Sequence, residues 1–326
     1  MQIKFNFSPA PKIALRNTRC DFMRAIMFLI VCTSLFACKH DTSEAKSLET
    51  IVQSDTTSVE DQQDTTEPTP LRFDRDLVLD RIDQKVKDGE SRFIHVFVPL
   101  CDNEHQGIVP VNSRLGDGLN LTTNLYWGAG YGVKTHFKRS PKWRMISSDT
   151  YDNGAVMERV LFEHVDSAVY LLADAYRGDS MRQCLVDYFN TISGVDRYDT
   201  IDTGEGVIVA FEPDLIVFNG HNGLMDVRVE APRSAEGKAK DAVAIACVSG
   251  VYFNSELSKA GGYPLVMTQH LLAPEAYVID AIFDSWIKYK SPEEIRMSAS
   301  RGYHGVQKCG LRGASNLFST GWGEED

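Results

Sequence analysis

The chain has 326 residues, of which 43% are hydrophobic and 24% charged, the balance of a globular protein rather than a disordered or fibrous one. A formal net charge of -11 leaves no basic field to exchange for counterions, so nucleic acid is excluded as an expected partner. Beyond the N-terminus no apolar run approaches the ~20 residues that a transmembrane helix needs.

In chain order, the first feature is Arg24 followed by the apolar run Ala25 to Val31, too short to span a bilayer, and then Leu35-Phe36-Ala37-Cys38. A basic residue, a short apolar region and a small residue before a cut read as a signal peptide. Leu-x-Ala-Cys resembles the bacterial lipobox, and the resemblance implies that Cys38 becomes the diacylated first residue of an exported lipoprotein. It places the folded part at the periplasmic or cell-surface side of a membrane, with the outer membrane favoured. A start at Met23 gives a compact signal over residues 23–37 and makes residues 1–22 an over-extended start. Residues 38–70 are rich in Ser, Thr, Asp, Glu and Gln, with almost nothing large and apolar to bury, and are expected to form a disordered tether. Residues 71–326 have the length of one domain with one core. Oxidising surroundings would permit a disulfide among Cys101, Cys184, Cys247 and Cys309, but their wide spacing does not look like a disulfide framework.

Within that domain, Phe93 to Leu100 is a nearly continuous apolar run ending at polar Cys101-Asp102-Asn103, as expected of a strand buried on both faces. Further strands are predicted at Ala168 to Ala173, Leu215 to Phe218, Ala242 to Ala246 and Pro264 to Thr268. Asp179-Ser180 is expected to cap a helix running to about Ile192. Ala273-Pro274-Glu275 opens a second, to about Tyr289, with proline and acid in its first turn. The alternation predicts an α/β three-layer sandwich with a mainly parallel sheet.

Chemistry in such a sheet collects at the carboxyl ends of neighbouring strands. One apolar strand delivers Asn219-Gly220-His221-Asn222-Gly223 into a turn, and the next delivers Ala246-Cys247-Val248-Ser249-Gly250. The intervening ~20 residues exceed the dozen that a parallel crossover requires, so the two side chains can lie side by side. A cysteine attacks a carbonyl as thiolate, and an imidazole beside it can take that proton and hand one to a leaving amine. Taken singly, Cys247 reads better as an inert cysteine at a buried strand end and His221 as a turn residue; it is their joint placement on consecutive apolar strands that favours a pair.

The pattern of an apolar strand before His-Gly and a second before Ala-Cys resembles the clan CD cysteine peptidases, which include caspases, legumains, separases and gingipains. Ala246-Cys247-Val248-Ser249-Gly250 is most similar to the gingipain form. The resemblance spans about Phe93 to Tyr289. It implies a caspase-like fold and an enzyme that cleaves peptide or protein substrates without cofactor or metal. Cys247 would be the nucleophile and His221 the acid/base, with the backbone N–H groups of Asn222, Gly223 and Cys247 facing the oxyanion. One departure stands out: the family places Gly directly after His, whereas Asn222 precedes Gly223 here. Asn enters left-handed conformations more readily than most residues, which would let the turn survive. The alternative is a surface or periplasmic binding lipoprotein that keeps this scaffold without turnover.

Other motifs carry less. Gly128-Ala129-Gly130-Tyr131-Gly132 lacks the full nucleotide-binding fingerprint and reads as a packing or substrate-channel segment. Arg177-Gly178-Asp179 lies where a strand turns into a helix and reads as a chance tripeptide. His95, His105, His136, His164, His270 and His304 show no zinc-site spacing. Asp102, Asp174 and Asp226 flank predicted strand ends, where any could line a specificity pocket, although solvated turn acids are commoner.

Overall fold

A computed structural model describes residues 72–195, 198–204, 206, 208–234 and 239–323, and these belong to one compact unit. The start at residues 1–22, the signal at 23–37, Cys38 and the tether to residue 70 lie outside the described residues.

An eight-stranded sheet organises the domain. Its centre is parallel: β1 (Arg92–Pro99) lies between β4 (Val169–Tyr176) and β7 (Leu215–Asn219), and β8 (Lys240–Ile245) and β9 (Gly262–Thr268) continue outward from β7. The margins are antiparallel, with β3 (Val156–His164) and β2 (Trp143–Thr150) beyond β4, and the short β10 (Phe318–Ser319) beyond β9. A separate hairpin pairs β5 (Tyr198–Asp202) with β6 (Ile208–Phe211). Every residue of β1, β7 and β8 is buried, because helices cover both faces, which is why these strands read as nearly continuous apolar runs.

One face carries α1 (Arg75–Lys87), α2 (Val133–Arg139), α5 (Ala276–Trp286) and α6 (Pro292–Gln307) against Ile94, Val96 and Val98. The other carries α3 (Met181–Ser193) and α4 (Ser249–Ala260) against Phe97, Ile216 and Phe218. A short α7 (Leu311–Ser315) precedes β10. The amino ends of β7 and β8 are clamped by ion pairs to α1. Buried Asp214 accepts from Arg81 at 2.6 Å and Lys85 at 3.0 Å, and buried Asp241 from Arg75 at 3.1 Å. Asp214 also accepts the Phe93 amide at 2.9 Å, which ties β1 to the same level. Breaking such a buried pair on one side strands an uncompensated charge, so these contacts resist strand slippage.

All five expected strands are present, with ends displaced by a few residues, and the sandwich is α/β with a mixed, mostly parallel sheet. The antiparallel margin was not foreseen. Its β2 is largely exposed or half-buried and lacks a continuous apolar run. Two helix expectations need correction. Ser180 occupies the cap position of α3 without a side-chain cap bond, because its hydroxyl donates to Asp179 at 3.0 Å and Asp179 is held by Arg177 at 2.7 Å. Ala273-Pro274-Glu275 lies before α5 rather than in its first turn, and that helix ends at Trp286, three residues short of Tyr289, which adopts a φ of 54°. Four cysteines among the described residues, Cys101, Cys184, Cys247 and Cys309, are free thiols.

Candidate active site

The chain passes from β1 to one side of the sheet, returns through β4, and then crosses to β7 on the other side of β1. The strand order therefore reverses between β1 and β7, and the crevice outside the carboxyl ends there is where open α/β sheets place ligands. Register fixes what reaches that edge. Asn219 in β7 is the Cα partner of Ile245 in β8, and His221 and Cys247 each lie two residues further on. The two side chains thus leave adjacent parallel strands at one level.

A direct contact ties the two turns. Asn222, fully buried, donates from Nδ2 to the Cys247 carbonyl at 2.6 Å, while its Oδ1 accepts the Leu224 amide at 3.1 Å and caps the 3-10 turn Gly223–Met225. Its φ is -74° and ψ 88°, so the residue is not left-handed. Asparagine is used at position 222 for its amide, as a cross-strap, and not for the conformational tolerance expected of it. Gly223 packs closely against α3, where a Cβ would lie 2.2 Å from Met181 Cγ and 2.3 Å from its Sδ and would have to displace that side chain. No hydrogen bond occupies the Asn222 and Gly223 amides among the described residues.

On the cysteine side, Val248 adopts φ 54° and ψ 33° between the end of β8 and the first turn of α4. A left-handed residue costs ~1–2 kcal/mol, more awkwardly for a β-branched side chain, so the strand-turn-helix at Cys247 is strained and held by its surroundings. The holding groups are visible. Val248 N–H donates to the His270 carbonyl at 3.2 Å, and Ser249 Oγ donates to the Ala244 carbonyl at 2.6 Å. Ser249 N–H donates to Thr268 Oγ1 at 3.1 Å and Thr268 N–H to Ser249 Oγ at 2.9 Å, with Thr268 Oγ1 also donating to the Ala246 carbonyl. This latch between α4 and β9 had no sequence signal beyond two buried hydroxyl residues.

The Cys247 side chain is partly accessible, and burial pushes its thiol up; Sγ donates to the Leu272 carbonyl at 3.7 Å. His221 is 7% exposed, and its Nε2 is hydrogen-bonded to the Asp226 carboxylate at 2.7 Å. No hydrogen bond joins the His221 ring to Cys247 among the described residues. A groove of about 310 Å³ runs between residues 224–229, Asp226 among them, and the α4 side chains Tyr252 and Glu256; neither His221 nor Cys247 lines it.

Of the three acids flagged from sequence, only Asp226 touches the candidate pair. Asp102 organises the loop after β1, accepting the Glu104 and His105 amides at 2.8 and 3.2 Å and His105 Nδ1 at 2.9 Å. Asp174 lies inside β4, fully buried, bonded to His95 at 2.9 Å and Arg159 at 2.7 Å. Gly128 and Gly132 serve packing, since a Cβ would come within 2.3 Å of the Leu121 carbonyl oxygen and 2.4 Å of that of Trp127. No group of three or more His, Cys, Asp or Glu is placed to hold a metal ion among the described residues. Among them, too, no helix is long and apolar enough to cross a membrane. Compared with protein-family models, curated proteins and solved structures, the chain matches none.

Proposed function

We propose that the protein is an exported, lipid-anchored cysteine peptidase of caspase-like fold, in which Cys247 attacks the scissile carbonyl and His221 transfers the proton. The observation that carries this reading is the equal register of His221 and Cys247 beyond adjacent strands, at the edge where the sheet reverses its order. The Asn222 strap and the strained Val248 turn support it, since both hold the two side chains in fixed relation at a cost in backbone freedom. In the reaction the thiol proton passes to the imidazole as sulfur bonds to the carbonyl carbon, and the imidazolium then returns it to the departing amine. Water completes the cycle by hydrolysing the thioester. The unoccupied Asn222 and Gly223 amides supply oxyanion donors. Anchoring through Cys38 after removal of residues 23–37 belongs to the same proposal and presents the domain outside the cytoplasm.

A binding lipoprotein on the same scaffold is favoured by one observation: the Cys247 thiol is pushed up by burial and donates to Leu272, as an unreactive cysteine would. Reaction of the full-length chain with a peptide-based electrophile separates the two. Selective modification of Cys247 that is slowed by His221→Ala supports the peptidase. A thiol that reacts no faster than Cys309 supports the binder.

A further inference from the structure

The loop after β1 reaches the same edge as His221 and Cys247, and the reading above gives it no role. Gly107 N–H in that loop donates at 3.1 Å to Oδ2 of Asp226, the oxygen that also holds His221 Nε2 at 2.7 Å. The approach is close: a Cβ at Gly107 would lie 2.6 Å from Asp226 Oδ1. The loop is itself fixed. Gln106 Nε2 donates to the Leu100 carbonyl at 2.8 Å and to the Gly178 carbonyl at 3.1 Å, and Gln106 Oε1 accepts the Asp102 amide at 3.2 Å. The Asp102 carboxylate closes the adjoining turn. Asp226 is thus held from two strand ends, and among the described residues its side chain makes no other hydrogen bond.

We propose that Gly107 and Asp226 are positioning residues for His221. The β1 loop sets the carboxylate, the carboxylate fixes the proton on Nε2, and Nδ1 is left to face the thiol. This rests on the peptidase reading. Its chemistry is that of a base oriented by a third group, in which the carboxylate selects the tautomer without itself being protonated. The three parallel strand ends β1, β7 and β8 then each contribute one part of a single apparatus.

The test uses the full-length chain with 15N-labelled histidine. Wild type is expected to show a downfield Nε2-bound proton assigned to His221 and lost in His221→Ala. Gly107→Ala and Asp226→Asn should weaken or abolish that signal and lower kcat tenfold or more with a smaller change in KM, while Asp226→Glu recovers part of both. A signal and a kcat within twofold of wild type in both Gly107→Ala and Asp226→Asn would overturn the proposal, and Asp226→Asn, at a partly exposed side chain, covers the case in which Gly107→Ala misfolds. The spectroscopic readout needs no turnover. A chain that cleaves no peptide yet loses the signal in Gly107→Ala therefore refutes the peptidase reading while the positioning geometry stands.

Discussion

Replacing Asn222 by glycine restores the residue that the clan CD pattern places after the histidine, and a pattern-based argument expects activity to persist or rise. The structure leads to the opposite outcome. Asn222→Gly removes two hydrogen bonds, from Nδ2 to the Cys247 carbonyl and from the Leu224 amide to Oδ1, at a fully buried position. Each is worth ~1 kcal/mol net. Glycine's extra freedom in the unfolded chain adds a further ~0.5 kcal/mol. The expected loss is therefore about 2–3 kcal/mol, a sizeable part of a domain's ~5–15 kcal/mol. Urea denaturation of the full-length chain, followed by circular dichroism, measures it as a lower midpoint at unchanged slope. Peptide hydrolysis should fall in parallel, since the strap is what links the His221 turn to the Cys247 turn. A variant within 0.5 kcal/mol of wild type by the same assay, with equal or higher turnover, would refute the strap and restore the simpler idea that position 222 only needs a permissive backbone.

Other outcomes follow from particular contacts. Burial alone would raise the Asp174 carboxyl, but hydrogen bonds from Arg159 and His95 overcome this and hold it at about 2 against an ordinary 3.8. A depressed carboxyl stabilises the fold above its unfolded value and loses that contribution as pH falls through the folded one. The wild type should therefore lose about 2 kcal/mol between pH 4 and pH 2 from this group, a drop that Asp174→Asn lacks; equal acid profiles would contradict it. Gly223→Ala must displace the buried Met181 side chain and should cost about 1–3 kcal/mol, read as a lower Tm, and an unchanged Tm would show that the space is not tight. Cys38→Ser should release the chain from membranes or leave its signal uncleaved. Fatty-acid probe labelling that persists in the variant would end the lipid-anchor proposal.

The central strands were legible because burial on both faces leaves a signature in the sequence itself: Phe93 to Leu100 and Leu215 to Phe218 are apolar without alternation. The candidate pair was legible for a related reason, since polar residues appear abruptly where those runs stop. The antiparallel margin was not, because β2 has half-exposed and exposed positions that resemble loop. Nor was the Asn222 strap. The sequence shows only a departure from Gly, and a side chain bonding a carbonyl 25 residues away becomes visible only when the strands are aligned. Asp226 was one of three equivalent acids by position. Its partner His221 and the Gly107 amide single it out, and both contacts depend on how loops from different strands meet. Ser249 and Thr268 look like ordinary helix-start and strand-end residues, yet they hold the turn that presents Cys247.

The central claim is that Cys247 and His221 act as one unit on a peptide bond. Its most direct test is hydrolysis of a peptide library by the full-length wild type beside Cys247→Ala, His221→Ala and the double variant, each checked for folding by Tm. Truncating one small side chain at a strand end leaves little cavity, so the variants should remain folded. The account expects Cys247→Ala to abolish turnover and His221→Ala to reduce it by a comparable order. The double variant should be no worse than Cys247→Ala alone, because groups serving one attack and proton transfer fail together. Hydrolysis that survives Cys247→Ala intact, or a wild type that cleaves nothing in the library, would contradict it.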